Sequence, residues 1–388
     1  MANRSGKHKL SPTQISLGVP TQWALYDSDG NLLLREGATV EGDHQIESLI
    51  RRGAYYYTGP ALTEYKPPDP VSSQASSYEM VNGLLNQLET AHQGLVSAVS
   101  SPLTLGLLQS LIKRIQAVCK ANPDAILGTT QLIIHAPSSL IHALHCSLIC
   151  EIAGARLGWP ESDRIPLIGA ALTQNIGLFA LQSVLDNQKT PLTPEQQKQI
   201  EEHPKRSAEL LVKVGLRDRR WLQIVLQHHE RLDGSGYPRQ LTADRIIPET
   251  RLLAIIDSYV AMTRPRIYRQ TMRSQEAMKE LFKHRGQAID GRMSELFLRA
   301  MGLFAPGCLV RRSTGEVAII LAAGPTPDRV IISSITDKQS RSLESPAPPE
   351  EINTTDISGV LNLTDHEKLV AHLGQIWPDP QMAGTLDT

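Results

Sequence analysis

Two adjacent histidines stand directly before a glycine-rich turn, in a stretch that reads HHERLDGSGYP and begins at residue 228. Consecutive residues of a helix point about 100° apart, and two imidazoles buried in a row both need polar partners. Gly234 and Gly236 permit backbone conformations that side chains disfavour, and the closing proline stiffens the exit. The pattern therefore predicts a defined loop beside the histidines, which can connect two helices and also cover a ligand or meet a partner protein. It also makes His228 and His229 candidate metal ligands.

Length, charge and cysteine content narrow the class of protein. A chain of 388 residues is expected to hold two or three domains. Its net charge of −1 argues against a broad nucleic-acid-binding surface. The four cysteines are irregularly spaced, which indicates a reducing compartment and no disulfide framework. The first twelve residues are polar and we find no stretch long and apolar enough to cross a bilayer, so we predict a cytoplasmic protein without a membrane span.

The spacing of apolar residues changes twice along the chain. From residue 78 to about residue 301 they recur at helical spacing, whereas short alternating runs separated by turns precede and follow this part. We therefore predict a mainly α protein, with a small N-terminal α/β module before the helices and a small C-terminal β unit after them. The predicted segments are 1–66 for the α/β module, 67–80 for a Pro- and Ser-rich linker, 81–305 for the helical domain, 306–345 for the antiparallel β unit, and 346–388 for a connector with a helix near 365–376.

Local signals place individual elements. Thr193, Pro194 and Glu195 combine a capping hydroxyl, a first-turn proline and early negative charge, which predicts a helix running toward His203. Elsewhere, alternation and turn residues predict strands at 21–26, 31–34, 308–310, 317–321 and 330–335, a hairpin turn at Asp29-Gly30, and a helix at 43–52.

Side chains that can bind a metal ion or a phosphate occur at intervals along the helical segment. His142 begins an apolar helix, the run AALTQNIGL begins at residue 170, and His203 precedes a proline; after the histidine pair come Asp257 and the run RIYR from residue 266. This order and spacing resemble the HD-GYP family, metal-dependent phosphodiesterases that hydrolyse the bacterial second messenger cyclic di-GMP. The likeness spans roughly residues 120 to 300. It implies an all-helical HD-type fold for that part of the chain.

The resemblance also implies where metal ions bind. His203, His228 and His229 are expected to surround one divalent transition metal ion, either iron, manganese or zinc, because three histidines can hold such an ion unaided. His142 and Asp257 are expected to flank a second position. We predict that this position is empty or filled by water, because Gln174 and Asn175 stand where its other ligands are expected. Some members of the family bind a third ion through a glutamate one turn before the first histidine. This chain has Ser138 there, so we predict no third site.

Two further groups of residues are expected to form a recognition surface. Arg266 and Arg269 match positions at which the family grips phosphate, and guanidinium groups suit that task, although a solvated helix face would look the same. The loop is expected to cover cyclic di-GMP or to meet a signalling protein through residues Asp233, Gly234, Gly236, Tyr237 and Pro238.

The resemblance fails at one place. Where the family has a histidine, an aspartate and, three residues later, a lysine, this chain has Gln174, Asn175 and Leu178. An amide oxygen is a weaker donor to a transition metal than an imidazole nitrogen, and a neutral side chain is a poor bridge between two ions. Leucine also lacks the positive charge that stabilises a phosphate transition state. We therefore predict that catalysis is absent or strongly impaired.

Three functions are compatible with this pattern. The first is a non-catalytic HD-GYP protein of cyclic di-GMP signalling that acts by binding a ligand or a protein. The second is a metal-dependent cyclic di-GMP phosphodiesterase that uses the remaining histidines. The third is a structural interaction protein that binds no nucleotide.

The apolar helix that carries His142 also carries two cysteines. His142, Cys146 and Cys150 stand four residues apart on one helical face, which suggests metal ligation. Buried cysteines more commonly pack as small apolar residues, and a lone histidine on an apolar helix is more often a hydrogen-bonded core residue. We favour packing for both cysteines and a core position for His145.

Overall fold

The computed structural model describes residues 6–58 (apart from 12–13, 22, 24, 27–31 and 35–37), 77–97, 102–130, 137–188, 190–263, 274–283, 288–326 and 328–361. The chain divides into two compact units, Met1–Pro70 and Val71–Thr388. Among the described residues, helices make up most of the second unit, and small sheets occur in the first unit and at the end of the second. The predicted mainly α fold class is therefore confirmed.

The N-terminal unit is a small sheet with one helix. Its strands run in the order β1, β4, β2, β3 with antiparallel pairing, and its apolar core includes Leu25, Val40 and Leu49. The predicted hairpin turn lies outside the described residues. The elements are β1 (Gly6–Lys9), β2 (Leu25–Tyr26), β3 (Leu32–Leu34), α1 (Asp43–Arg51) and β4 (Tyr55–Thr58).

The second unit begins with a run of helices around one apolar core. The first helix begins at residue 77, whereas the prediction placed a linker up to residue 80 and the helical domain from residue 81. The helices are α2 (Ser77–Val96), α3 (Pro102–Ala121), α4 (Pro123–Thr130), α5 (Ser138–Arg156), α6 (Glu161–Thr173), α7 (Phe179–Asn187), α8 (Pro194–Lys213), α9 (Arg219–Gln227), α10 (Pro248–Thr263), α11 (Ser274–Lys283) and α12 (Gly291–Met301).

Helix α5 is the central helix of this core. Every residue from Leu140 to Gly154 is buried except His142. A helix that is apolar on all sides is stable only when other helices surround it. The only partly exposed residue in this stretch is therefore His142, the first candidate metal ligand along the chain.

Helix α9 is held in place by a cap and by a tryptophan. The Asp218 carboxylate accepts hydrogen bonds from the backbone N–H groups of Arg220 and Trp221, which satisfies the first turn. The Trp221 indole N–H donates to the Thr173 hydroxyl at 2.9 Å, and the ring packs so closely on Gly169 that no side chain fits there. These contacts fix the direction of α9 and so the position of the histidines that follow it.

The predicted start of α8 is confirmed in detail. The Thr193 hydroxyl accepts a hydrogen bond from the Gln196 backbone N–H, and the Gln196 side chain accepts one from the Thr193 backbone N–H. This reciprocal pair is a capping box. The helix then runs to Lys213 and carries His203 in its buried face.

A buried histidine from α2 supports the end of α6. The His92 Nε2–H donates to the Leu172 carbonyl at 2.7 Å, so this carbonyl near the helix end has a partner. Burial lowers the pKa of His92 from 6.5 to about 4, and the backbone hydrogen bond opposes only part of that shift. The imidazole is therefore neutral in the folded chain at physiological pH.

We expect the metal-free protein to lose stability through His92 as the pH falls. The unfolded chain takes up a proton near pH 6.5 and the folded chain only near pH 4, so the stabilisation is complete above pH 6.5 and is lost on acidification. Between pH 7 and pH 5 the loss is about 2 kcal/mol. Denaturant unfolding at both pH values should show a smaller loss in His92→Gln, which keeps a donor and does not titrate. Equal losses in the two proteins would contradict this.

A five-stranded antiparallel sheet follows the helices. Its strand order is β8, β7, β6, β5, β9, and the prediction ended this unit at residue 345, before its last two strands. Those strands are short and polar on the exposed face, so their alternation is weak in the sequence. The predicted helix near 365–376 lies outside the described residues. The strands are β5 (Leu309–Arg312), β6 (Val317–Ala323), β7 (Arg329–Ser334), β8 (Glu350–Asn353) and β9 (Ile357–Leu361).

Two helical stretches reach the length and apolarity of a membrane span. They are Ser138–Arg156 and Glu161–Gln182, so the prediction that no stretch is long and apolar enough was wrong on this measure. Within the helical core 78% and 61% of these stretches are buried. Their apolarity is therefore accounted for by packing against other helices.

Candidate metal centre

Three histidines come together between α8 and the C-terminal end of α9. His203 comes from α8, His228 is the C-cap of α9, and His229 follows it. His203 is fully buried and His228 is 1% exposed. One ligand atom from each ring lies within 4.8 Å of the other two. The predicted grouping of these three residues is thus present in the structure.

The hydrogen bonds of two rings fix which nitrogen carries the proton. His203 Nδ1 lies 2.5 Å from the Ile200 carbonyl oxygen, and His228 Nδ1 lies 2.7 Å from the Val225 carbonyl oxygen. A carbonyl only accepts, so each neutral ring holds its proton on Nδ1 and has a lone pair on Nε2. The two Nε2 atoms face each other at 3.1 Å.

That separation fits chelation of a single ion. An ion about 2.0 to 2.1 Å from each nitrogen places two ligating nitrogens about 2.9 Å apart at a right angle and about 3.4 Å apart at the tetrahedral angle. Two lone pairs facing each other at 3.1 Å lack a shared proton, and a cation between them would replace their repulsion by coordination. The backbone carbonyls behind the rings also orient them as partners of metal-bound histidines usually do.

Burial keeps these imidazoles in the form that binds metal. Burial, and after it the neighbouring His228, lower the pKa of His203 to about 3. Burial likewise lowers the pKa of His228 and His229 below the usual histidine range. A metal ion binds the neutral imidazole, so these ligands do not have to lose a proton at physiological pH.

The second predicted position is occupied by a hydrogen-bonded cluster. His142 Nε2 lies 2.8 Å from Asp257 Oδ1, and the Gln174 amide nitrogen donates to the same oxygen at 2.9 Å. Burial alone would raise the pKa of Asp257, but the hydrogen bond from His142 and the nearby histidines lower it below the usual range. Asp257 is therefore a carboxylate that Gln174 binds as a donor.

The other two substituted positions line a groove beside this cluster. Asn175 precedes a 3-10 turn at Ile176–Leu178, and the turn is pressed against α8 so that a side chain at Gly177 would overlap the His203 carbonyl. The groove has a volume of about 760 Å³. Its walls include Asn175, Leu178, His142, His203, His229, Tyr237 and Asp257.

The glycine-rich loop folds back over the histidines. The buried Glu230 carboxylate accepts backbone hydrogen bonds from Arg239 at 2.7 Å and from Leu241 at 2.8 Å. The Tyr237 backbone N–H donates to the His229 carbonyl, and the Tyr237 ring lies 4.7 Å from the His229 ring. Tyr237 is thus a wall of the metal centre, and it borders the groove.

The outer side of the same loop is exposed. Asp233 and Pro238 are exposed, and the Asp233 carboxylate accepts hydrogen bonds from the Ser235 backbone and hydroxyl. Gly234 has φ +79°, a backbone conformation that favours glycine. The loop residues therefore divide into an inner side that meets the histidines and an outer side that meets solvent.

Changing Gly236 to alanine is expected to displace this loop. A Cβ there would lie within 3.0 Å of the backbone of His229, Glu230 and Arg231, and backbone cannot move aside as a flexible side chain can. Overpacking of this kind costs about 1–3 kcal/mol of unfolding free energy. Denaturant unfolding of Gly236→Ala checks this, with the exposed Ser235→Ala as control. Equal stability of the two variants would contradict the expectation.

Several predicted residues fall elsewhere. Arg266 and Arg269 lie outside the described residues. The Ser138 hydroxyl donates to Asp186 at 2.5 Å. His145 is buried, and Cys150 is fully buried in the core, where burial raises the pKa of its thiol. The core assignments of His145 and Cys150 agree with this burial.

Two features of the structure go beyond what the sequence led us to expect. Cys146 Sγ lies 3.4 Å from His142 Nε2, and Cys146, His142 and Asp257 form a second group of close donor atoms. The four-residue spacing signalled this group, but packing was preferred as the explanation. The loop-organising role of Glu230 had no signal, because its partners are backbone N–H groups nine and eleven residues later.

Comparison with known proteins identifies the helical part. The profile of the HD domain family matches residues 120–293. A cyclic di-GMP phosphodiesterase of Pseudomonas aeruginosa is 28% identical over 216 residues, which are 54% of this chain and 51% of that protein. Residues 120–293 form an HD domain. The cyclic di-GMP phosphodiesterase response regulator RpfG of Xanthomonas campestris is 30% identical over 157 residues, 39% of this chain and 41% of that protein.

A solved structure supports the fold of this HD domain. The HD-GYP-type protein Bd1817 of Bdellovibrio bacteriovorus superimposes with a TM-score of 0.50 at 15% identity, covering 76% of this chain and 98% of that one. At this identity the likeness concerns the fold alone. The chain spans about half the length of the first curated relative that it matches.

Proposed function

We propose that this protein is a non-catalytic or strongly impaired HD-GYP protein of cyclic di-GMP signalling, which acts by binding a ligand or a protein. The observation that carries the proposal is the hydrogen bond from Gln174 to Asp257. A di-metal hydrolase needs a metal ligand at this place and a bridging carboxylate next to it. This chain has an amide that donates a hydrogen bond, followed by the neutral Asn175.

The three-histidine site supports binding of one divalent transition metal ion. His203, His228 and His229 supply neutral nitrogen donors, and the facing lone pairs of the first two match the spacing of one chelated ion. Iron, manganese and zinc all accept such ligands. When bound, the ion supplies positive charge that attracts a phosphate oxygen at the end of the groove.

Cyclic di-GMP is the ligand that the relatives favour. The relatives in Pseudomonas and Xanthomonas are named for their action on it, and the groove has the volume of a small-molecule site. Binding without turnover needs shape and positive charge but no bridging carboxylate. We further propose that Arg266 and Arg269 supply charge to the phosphates, and that the protein acts in the cytoplasm.

Calorimetric titration with cyclic di-GMP tests this proposal. Metal-loaded protein is expected to bind the nucleotide, and Arg266→Ala and Arg269→Ala are each expected to weaken binding by about 1–3 kcal/mol, the range of charge-assisted hydrogen bonds. Arg341→Ala, a change of an exposed arginine in the C-terminal β unit, is the control and is expected to bind normally. Product analysis of the same samples is expected to show no hydrolysis above background.

Three outcomes would redirect the proposal. Hydrolysis that His228→Ala abolishes would favour the phosphodiesterase function instead. No nucleotide binding, together with loss of a protein partner from pull-downs only in Tyr237→Ala, would favour a signalling protein docked on the loop, because aromatic residues commonly anchor such interfaces. If neither ligand binds, only the structural role stands.

A further inference from the structure

We propose that Cys146, His142 and Asp257 form a second metal site, which binds a zinc-class cation with the Cys146 thiolate as one ligand. The three donor atoms lie within 4.8 Å of one another. His142 and Cys146 are four residues apart on α5, so both point to the same face of one rigid, buried helix. Asp257 is brought to them by α10. This site does not depend on binding of cyclic di-GMP.

The distance between nitrogen and sulfur fits tetrahedral coordination. Zinc bonds of about 2.1 Å to nitrogen and 2.3 Å to sulfur place these two ligands about 3.6 Å apart. His142 Nε2 and Cys146 Sγ are 3.4 Å apart. His142 Nε2 and Asp257 Oδ1 are closer, at 2.8 Å, because they share a hydrogen bond. Binding of an ion between them would increase this distance by about half an ångström.

A buried polar atom next to the cluster points to a further ligand. Gln174 is 1% exposed, and its amide oxygen has no hydrogen-bond partner among the described residues. Its amide nitrogen lies 2.9 Å from Asp257 Oδ1, and the two atoms of an amide are about 2.3 Å apart, so the oxygen is within about 5.2 Å of the carboxylate. A buried acceptor without a partner is costly, and a cation would satisfy it.

The donor set selects a different class of ion from the three-histidine site. Thiolate favours zinc and similar borderline or soft ions, whereas manganese prefers oxygen and nitrogen ligands. Binding releases the thiol proton of Cys146, and the His142 proton moves from Nε2 to Nδ1 so that Nε2 can coordinate. Asn175 still supplies no bridging carboxylate, so two ions in these sites would not be linked as in a di-metal hydrolase.

Cobalt substitution tests this site in the full chain. Metal-free protein loaded with Co²⁺ is expected to show a near-ultraviolet thiolate-to-cobalt charge-transfer band, and zinc-loaded protein is expected to hold two ions per chain. Cys146→Val, which keeps an apolar side chain of similar size, is expected to lose the band and one zinc ion. Cys150→Val, one turn further along the same helix, is the matched control and is expected to keep both.

Three results would overturn the proposal. They are no charge-transfer band in the unaltered protein, a band that survives in Cys146→Val, or a single zinc ion in the unaltered protein. Circular dichroism of each variant verifies folding, and Cys146→Ser provides a second variant in which the band is expected to disappear. His203→Ala is expected to keep the band, which separates this site from the three-histidine site and from the proposed nucleotide function.

Discussion

Hydrolysis of cyclic di-GMP is expected to rise at least about 1,000-fold when Gln174→His, Asn175→Asp and Leu178→Lys are combined in one chain. The factor corresponds to about 4 kcal/mol of transition-state stabilisation, which we attribute to the three positions together. The histidine restores a nitrogen ligand and the aspartate restores a bridge between two ions. The lysine adds positive charge at the wall of the groove, where Leu178 now lies.

Two variants separate metal binding from catalysis in this experiment. Gln174→His with Asn175→Asp, but without the lysine, is expected to bind a second Mn²⁺ ion, which the thiolate-containing site of the unaltered chain disfavours, while gaining less activity. Asn175→Ala removes the amide and adds no carboxylate, so it is the matched control and is expected to stay at background. Product formation and metal content are measured on the same samples. If the unaltered chain already hydrolyses the nucleotide as fast as the triple variant, the proposed loss of catalysis is wrong.

Sequence patterns predicted the parts of the fold that depend on local signals. The capping residues at Thr193 and the continuous apolar sequence of α5 are local signals, each contained in a short stretch of the chain. The three-histidine group was implied by the resemblance to the HD-GYP family, since no local signal places His203 beside the adjacent His228 and His229. The structure brings all three together.

The remaining features depend on partners that are distant along the chain. The hydrogen bond between Gln174 and Asp257 joins residues 83 positions apart, and no local pattern reports it. From the sequence Gln174 is only a missing ligand, whereas in the structure it is a donor that holds the carboxylate. Cys146 shows the opposite case, because its spacing from His142 was visible in the sequence, whereas the 3.4 Å distance on which the proposed ligation rests is given only by the structure.

Replacing His228 with alanine is expected to lower the affinity for Mn²⁺ by more than about 100-fold. Loss of a residue that merely supports a ligand already costs about 10- to 100-fold in metal affinity, and His228 is itself one of three proposed donors. The remaining two rings would lack the close pair of nitrogen atoms at 3.1 Å that now faces the centre. Mn²⁺ is the appropriate probe because it disfavours the thiolate-containing site.

A second buried histidine shows whether this loss is specific. His92, like His228, is a buried imidazole with one ring nitrogen bonded to a backbone carbonyl, but it lies outside the histidine group. Removing either ring perturbs the helical core, whereas only His228 contributes a facing lone pair. Calorimetric titration of metal-free protein with Mn²⁺ is therefore expected to give near-normal affinity in His92→Gln and a large loss in His228→Ala. Equal losses in both would mean that core packing, rather than ligation by His228, determines metal binding.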